Sequence, residues 1–564
     1  MAPWFTGDRD ELDIGTPSVA DRSCHGVPVS TRLALLRRHR ADRLGEFSIL
    51  AIRRATVRTG PMIVTALSLA LGGVYAVHVG QDVNWDWQNY HDYDVLALLH
   101  DRHSIDVAPA GTQSFLNPIP YVPYYLLRHH LPPIITGAIV GAIQSLNFII
   151  AWALTRRLMP NLSWVPTAAA MLISASGSMT LSEIGTSFAD LLTAIPVLIG
   201  LLFLVTSSPQ QKRVILMGGL FIGSAVGLKL TNAIFAVGAL AMIFAGNRPL
   251  RSAIWFGLGS AIGFVITGGA WSFYLWHEFG NPLFPFYNNV FRSPAGPSWN
   301  ITDPRYYPHG LIDALSYPFR WIRSGQTTNE VPFRDARFAV IIILAGIAAS
   351  LTAVGSRWTL SRRESQFLIF FVVSLVTWMV MFSVQRYLVV LEILAGPLIV
   401  LLLHQAIPAI GRDVLAGVIA ITLALWVQPS DWWHRPWTDA YVGSPGTAET
   451  ATPATYFLVE RPLAFVIHYL PATSRFYQLA DHDLPILPGT PFDKRIRAGL
   501  AEPLPGGNWV MHIKGRQIPT NLVQRYNLEV DYSYPCITLA GAVFVDVEVC
   551  RLRDSQEYGR RDRP

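Results

Sequence analysis

Charge is scarce in this chain. Asp, Glu, Lys and Arg make up 15% of 564 residues and hydrophobic residues 51%, whereas an ordinary soluble domain is about 25% charged. Cysteine is nearly absent: Cys24 lies in the N-terminal stretch, and Cys536 and Cys550 lie near the C-terminus. No CxxC pair and no His/Cys cluster has the spacing of a zinc site. A phosphate-binding P-loop, a dinucleotide fingerprint and a Ser-His-Asp order are also missing. Nothing demands a metal or a cofactor, although an isolated carboxylate can bind Mg²⁺. The net charge of +6 comes from arginines concentrated in particular loops. That pattern sets membrane orientation and excludes nucleic acid as a partner. No internal repeat is visible, which weighs against an inverted-repeat transporter.

Long apolar runs are abundant. Eleven are expected to span a membrane, roughly Pro61–Val79, Ile134–Leu154, Val165–Leu181, Phe188–Thr206, Val214–Leu228, Asn232–Ala245, Ser252–Trp276, Phe338–Val354, Gln366–Val384, Leu388–His404 and Val414–Gln428. The fold expected is an α-helical polytopic membrane protein. Residues 1–58 form a basic N-terminal tail, with Leu33–Ile52 as a basic surface helix. The first apolar run comes too late, and is too long, for a secretory signal.

Orientation follows from the cations. With the N-terminus in the cytoplasm, short inner loops carry Arg156, Arg157, Lys212, Arg213, Arg248, Arg251, Arg357, Arg362, Arg363 and Arg412; short outer loops carry only Lys229 and Arg386. The C-terminus is then expected outside the cytoplasm. Residues 59–428 then form the membrane domain, and two outer loops, 80–133 and 277–337, face the same side as the tail 429–564. That tail has period-two runs such as Val543–Val549, and is expected to be a small α/β domain. Cys536 and Cys550 bracket a hairpin, Ile537–Val549, where a disulfide is permitted; two small buried residues are the alternative.

The first outer loop holds the densest polar cluster, Val83–Tyr93 (V-N-W-D-W-Q-N-Y-H-D-Y), with Asp82 before it. Ionisable side chains beside a span are costly unless they face a cavity or water, so this is a site by default. On a helix Asp82 and Asp86 share a face, and Asn89, Tyr90 and Tyr93 continue the stripe of Asp86. Such a helix is expected to lie along the membrane interface, flanked by Trp85 and Trp87. Aromatic walls beside a carboxylate suit sugar rings. Asp190 begins a span, where helix capping alone would explain it, with Glu183 just before it. Lys229 and Arg386, the lone outer cations, need anionic partners: a lipid-linked phosphate or a carboxylate such as Asp190. Arg292, Arg305, Arg320 and Arg323 in the second outer loop could line an acceptor path.

The motifs resemble those of the GT-C superfamily of integral-membrane glycosyltransferases, and more narrowly its bacterial members. The matching elements are D-W-x-N-Y-H-x-Y at Asp86–Tyr93, D-x-x-P-A-G-x-Q at Asp106–Gln113, N-P at Asn117–Pro118, Gly227–Asn232, Gly280–Asn288 and Gln385–Leu388. The likeness covers roughly residues 60–430. It implies a polyprenyl-phosphate-linked sugar as donor, a lipid, glycan or protein acceptor, and a catalytic acid in the first outer loop. Asp86 is the first choice for the general base and Asp82 the second. Asn89, Tyr90, His91, Tyr93, Asp190, Lys229 and Arg386 are the expected substrate contacts. Two other readings stay open. A transporter or flippase for lipid-linked glycan would use Glu392 near the bilayer midplane. A glycan polymerase or ligase would use the Arg-rich second loop.

Overall fold

The computed structural model describes residues 60–207, 211–353, 360–441, 449–539 and 545–555. The basic tail 1–58, with its expected surface helix, lies outside the described residues. By contacts the chain divides at Ile63: Met1–Ile63 is one unit, and Val64–Pro564 is the other. The second unit carries everything that follows.

A helix coincides with each of the eleven apolar runs. Six are long and apolar enough to cross a membrane: Gly60–Val79, Pro133–Leu158, Pro249–Phe279, Arg362–Met381, Gln385–Ala406 and Ala409–Trp426. The chain is a multi-pass membrane protein. Val389–Ala406 is the central helix, apolar on all sides and buried along nearly its whole length. It packs against Trp164–Ala175 and Arg337–Ala353. Close helix contact requires missing side chains. A Cβ at Gly396 would stand 2.1 Å from the Ala170 carbonyl oxygen. Lys212–Leu228 and Pro249–Phe264 meet through reciprocal glycines four apart, Gly219 with Gly223 and Gly259 with Gly263. A Cβ on any of the four would lie 2.0–2.1 Å from a backbone oxygen of the other helix. This small-residue packing replaces the hydrophobic drive that helices lack in lipid.

A charged cluster lies inside the bundle. Glu392, in the first turn of the central helix, accepts hydrogen bonds from the backbone N–H of Met179 (3.0 Å) and Thr180 (2.8 Å) and from the hydroxyls of Ser178 and Thr180. The fully buried Arg337 lies 3.1 Å from Asp335 and 3.8 Å from Glu392, and donates to the Ser176 carbonyl. Both oxygens of Glu392 are therefore occupied by a fixed structural turn.

The loop between the first two helices departs from the simple helical stripe. Gln81–Asp82 is a short strand, β1, paired antiparallel with β2, His434–Arg435. Asp82 is thus off the helix that Asp86 opens, and the two acids share no helical face. The chain then runs through a π-helical turn, Trp87–His91, into an α-helix, Asp92–Leu99. The wide turn shifts the register, so Asn89 and Tyr93 leave the stripe of Asp86. The stretch Trp87–Ala97 is buried within the protein. Trp87 stacks on Tyr441, 5.9 Å between ring centroids, and packs against Phe465. These contacts come from chain far away in sequence, which a local amphipathic pattern does not register.

This loop is pinned by buried ion pairs. Arg128, on the helix Val122–His130, holds Asp92 through two bonds of 2.7 Å, and Arg102 holds Asp106 at 3.0 and 2.7 Å. Asp106 also accepts from the Tyr93 hydroxyl and the Phe476 backbone N–H, tying the loop to the C-terminal domain.

That domain is a sheet built from β3 (Thr455–Leu458), β4 (Arg475–Gln478), β5 (Asn508–Ile513), β6 (Leu528–Val530), β7 (Ile537–Leu539) and β8 (Val547–Asp554). The order is β4-β3-β5-β8-β6, with β7 also on β8; β3 is parallel to β4 and β5, and the rest are antiparallel. A helix, Pro491–Ala501, joins β4 to β5. Cys536 and Cys550 form a disulfide across the β7–β8 hairpin. The only group of three metal-capable side chains found among the described residues is His512, Glu548 and Cys550, and the disulfide occupies that sulfur.

Two outcomes test these constraints. The disulfide closes a short loop with 14 residues of separation, worth about 3 kcal/mol in the chain-entropy account. Non-reducing peptide mapping should recover residues 536 and 550 linked, and C536S/C550S should melt at lower temperature; free thiols at both positions contradict the pairing. For Asp92, burial opposes the charge, but Arg128 and His129 outweigh it and hold the carboxyl below the usual range. Its contribution is present above the unfolded pKa of about 3.9 and is lost only as pH falls through the lower folded value. R128M strands that buried acid at a cost of about 3–5 kcal/mol. The variant should melt low at pH 7 and recover toward pH 4.5, as Asp92 takes up a proton. A pH-independent melt equal to wild type refutes the pinning role.

Candidate active site

Four helix ends meet at one place. Asp86 precedes the π turn Trp87–His91, Asp190 opens the helix Asp190–Thr206, Lys229 follows Lys212–Leu228, and Arg386 sits in a 3₁₀ turn before the central helix. The charges alternate. An Asp86 carboxylate oxygen lies 2.8 Å from Arg386 Nη1, Arg386 Nε lies 3.6 Å from Asp190 Oδ2, and Lys229 Nζ lies 2.6 Å from Asp190 Oδ1. The Tyr90 hydroxyl donates to Asp86 at 3.2 Å. Aromatic rings surround the cations. Phe188 lies 4.4 Å under the Arg386 guanidinium, Trp432 lies 5.7 Å away, and Tyr387 contacts both Arg386 and Lys229.

Exposure separates these groups. The side chains of Asp86 and Arg386 are each 13% exposed and Lys229 15%, whereas Asp190 is 4% exposed. Asp86, Arg386 and Lys229 each keep a small exposed fraction, while Asp190 is buried. Two positive and two negative groups leave the cluster close to neutral. Glu183, also buried, accepts from the Leu191 backbone N–H. Burial, reinforced by Asp190, pushes its carboxyl well above the usual range.

The other sequence candidates take different places. Asp82 is buried; its oxygens accept from the backbone and side-chain N–H of Asn84 and from the Ser187 backbone N–H at 2.7 Å. This carboxylate anchors the loop to the turn before Asp190. Asn89 donates to the Ala110 carbonyl and to Gln113, and Tyr93 reaches Asp106. His91 shares a hydrogen bond with Ser187 at 2.8 Å and stacks on Tyr121. Burial, then the nearby Arg386 and Lys229, holds its pKa well below the ordinary value, so the ring is neutral. In the second loop, Arg305 pairs with Asp303 and Arg320 with Asp313, so local acids already engage two of the four arginines. Sequence reasoning missed Ser187, Phe188, Tyr387 and Trp432. Tyr387 and Phe188 adjoin the charges that were singled out, and that adjacency was the available signal.

Comparison with known proteins comes to the same fold. A family model described as glycosyltransferase family 87 matches residues 115–384. The match spans Asp190 and Lys229, begins after Asp86 and ends just before Arg386. No curated protein matches the sequence. Among solved structures, the crystal structure of ArnT from Cupriavidus metallidurans bound to undecaprenyl phosphate is similar, with a TM-score of 0.50 and 11% identity, over 87% of this chain and 98% of that one. At that identity the likeness is one of fold.

Proposed function

We propose that the chain is a multi-pass membrane glycosyltransferase of the GT-C type that moves a sugar from a polyprenyl-phosphate donor to a lipid, glycan or protein acceptor on the outer face of a bacterial inner membrane. The observation that carries this reading is the alternating cluster Asp86–Arg386–Asp190–Lys229 at a junction of helix ends. It combines a partly exposed carboxylate with two partly exposed cations, the pair of charges that transfer from a phosphate needs.

The chemistry balances as follows. Asp86 accepts the proton of the acceptor hydroxyl. The acceptor oxygen forms a bond to the anomeric carbon, which passes through oxocarbenium character. The bond from that carbon to the phosphate oxygen breaks, and the polyprenyl phosphate departs with the electron pair. Lys229 and Arg386 stabilise the charge it gains. In the resting cluster both cations are already held by carboxylates. A donor phosphate therefore has to take Arg386 from Asp86, and the same exchange frees Asp86 to act as base. Asp190 keeps Lys229 in position, and Tyr90 orients Asp86. Asp82 fits an anchoring role, because its buried oxygens are already engaged.

The transporter reading loses its candidate acid, since Glu392 is fixed by four hydrogen bonds. For the polymerase or ligase reading, the local pairing of Arg305 and Arg320 removes two of its four cations.

In membranes supplied with radiolabelled polyprenyl-phosphate sugars, D86N should lower transfer by about a hundredfold to ten-thousandfold with an unchanged melting temperature. K229M should weaken undecaprenyl phosphate binding, while D86N leaves it equal or tighter. Near-wild-type transfer by D86N rules out Asp86 as the base. Unchanged lipid-phosphate binding by K229M rules out this seat.

A further inference from the structure

Between Gln81 and Ala97 every residue is buried except Trp85 and Asp86. Trp85 and Asp86 are thus the two partly exposed residues of this stretch. The guanidinium of Arg461, from the C-terminal domain, lies over that indole, 5.8 Å from the ring centroid.

Arg461 stands at a particular place in the sheet. It follows the carboxyl end of β3, and Asp481 follows the carboxyl end of β4. The chain leaves β3 for β4 on one side and later returns to β5 on the other. In open α/β sheets ligands sit in the crevice outside the carboxyl ends of the strands; the switch of order itself lies between β3 and β5, beside Arg461, and Asp481 stands beyond the neighbouring β4. The same crevice is stitched to the first loop. Asp481, almost fully buried, accepts the Thr112 backbone N–H at 2.5 Å and lies 3.4 Å from Arg461. Gly111 lines it with a positive φ of 67°, and a Cβ there would lie 2.0 Å from an Asp481 oxygen and 2.9 Å from Arg461 Nη1.

We propose that this crevice, with Trp85 and Arg461 as its contact surfaces, binds the acceptor, and that the acceptor group is an uncharged sugar ring. Asp481 balances the charge of Arg461, so the crevice does not select an anion. Among the described residues the Arg461 guanidinium donates no hydrogen bond, which leaves its N–H groups for hydroxyl oxygens. The indole edge and face suit the C–H side of a pyranose or furanose. The C-terminal domain, beyond the matched family region, would thus choose the acceptor while the membrane domain holds the donor. The inference rests on the glycosyltransferase reading above.

The test uses the full chain in lipid nanodiscs and two probes: methyl glycosides of common hexoses and pentoses, followed by saturation-transfer NMR, and undecaprenyl phosphate, followed by direct binding. At least one neutral glycoside should bind wild type. W85L and R461Q should each weaken it by about tenfold, the equivalent of one lost polar or stacking contact, with unchanged melting temperature and unchanged undecaprenyl phosphate affinity. R461K, which keeps the charge but not the planar fork, should also weaken it. The proposal is overturned if no glycoside binds wild type, if both W85L and R461Q bind normally, if methyl uronides bind more tightly than neutral glycosides, or if R461Q weakens undecaprenyl phosphate equally. Failure of wild type to bind undecaprenyl phosphate would instead sink the donor reading, with the glycoside result still judging the crevice.

Discussion

Two acids and two bases held in alternation, in a protein that otherwise avoids charge, are what the rest of the structure supports. Each of these groups would be unstable alone in a desolvated setting. Together they are close to neutral, and each sits where a helix begins or ends. Asp190 at a helix start is favoured by the macrodipole. Lys229 follows a helix end, where a cation is favoured for the same reason. The cluster is therefore stable while its members are paired, and reactive once an anion competes for the cations.

The surrounding fold fixes where those helix ends lie. Reciprocal glycines draw Lys212–Leu228 against Pro249–Phe264, so Lys229 has a defined height. The central helix positions Arg386, and its own first turn is locked by Glu392 onto Met179 and Thr180. Asp82 ties the first loop to Ser187, three residues before Asp190. In this way the carboxylate least suited to chemistry sets the distance between the two acids that face the cations. The Asp92–Arg128 and Arg102–Asp106 pairs then hold the loop as one rigid piece beneath the C-terminal sheet.

Much of this was legible in the sequence. Every apolar run marked a helix, because lipid and protein core both demand continuous hydrophobicity. The cysteines bracketing an alternating strand marked a hairpin where a disulfide was permitted, with two small buried residues as the alternative. Asp86, Asp190, Lys229 and Arg386 stood out because charge is rare here and each one needs a partner. The stripe argument held for Tyr90 and failed for Asn89 and Tyr93, since a π turn shifts the register in a way no 3.6-residue period anticipates. Trp87 is buried because Tyr441 and Phe465, more than 300 residues away, cover it. Contacts of that range leave no local pattern. The same holds for Arg461 over Trp85, where only the sheet topology shows why an arginine of the tail lies beside the first loop.

The central claim is that the cations seat a lipid phosphate and that its arrival releases Asp86. The most direct measurement is a structure of the protein in a nanodisc containing undecaprenyl phosphate. The account predicts the phosphate within about 2.7–3.2 Å of Lys229 Nζ and the Arg386 guanidinium, with the Asp86 carboxylate turned away from Arg386 toward Trp85. A phosphate bound elsewhere, with the 2.8 Å Asp86–Arg386 pair intact, would contradict it.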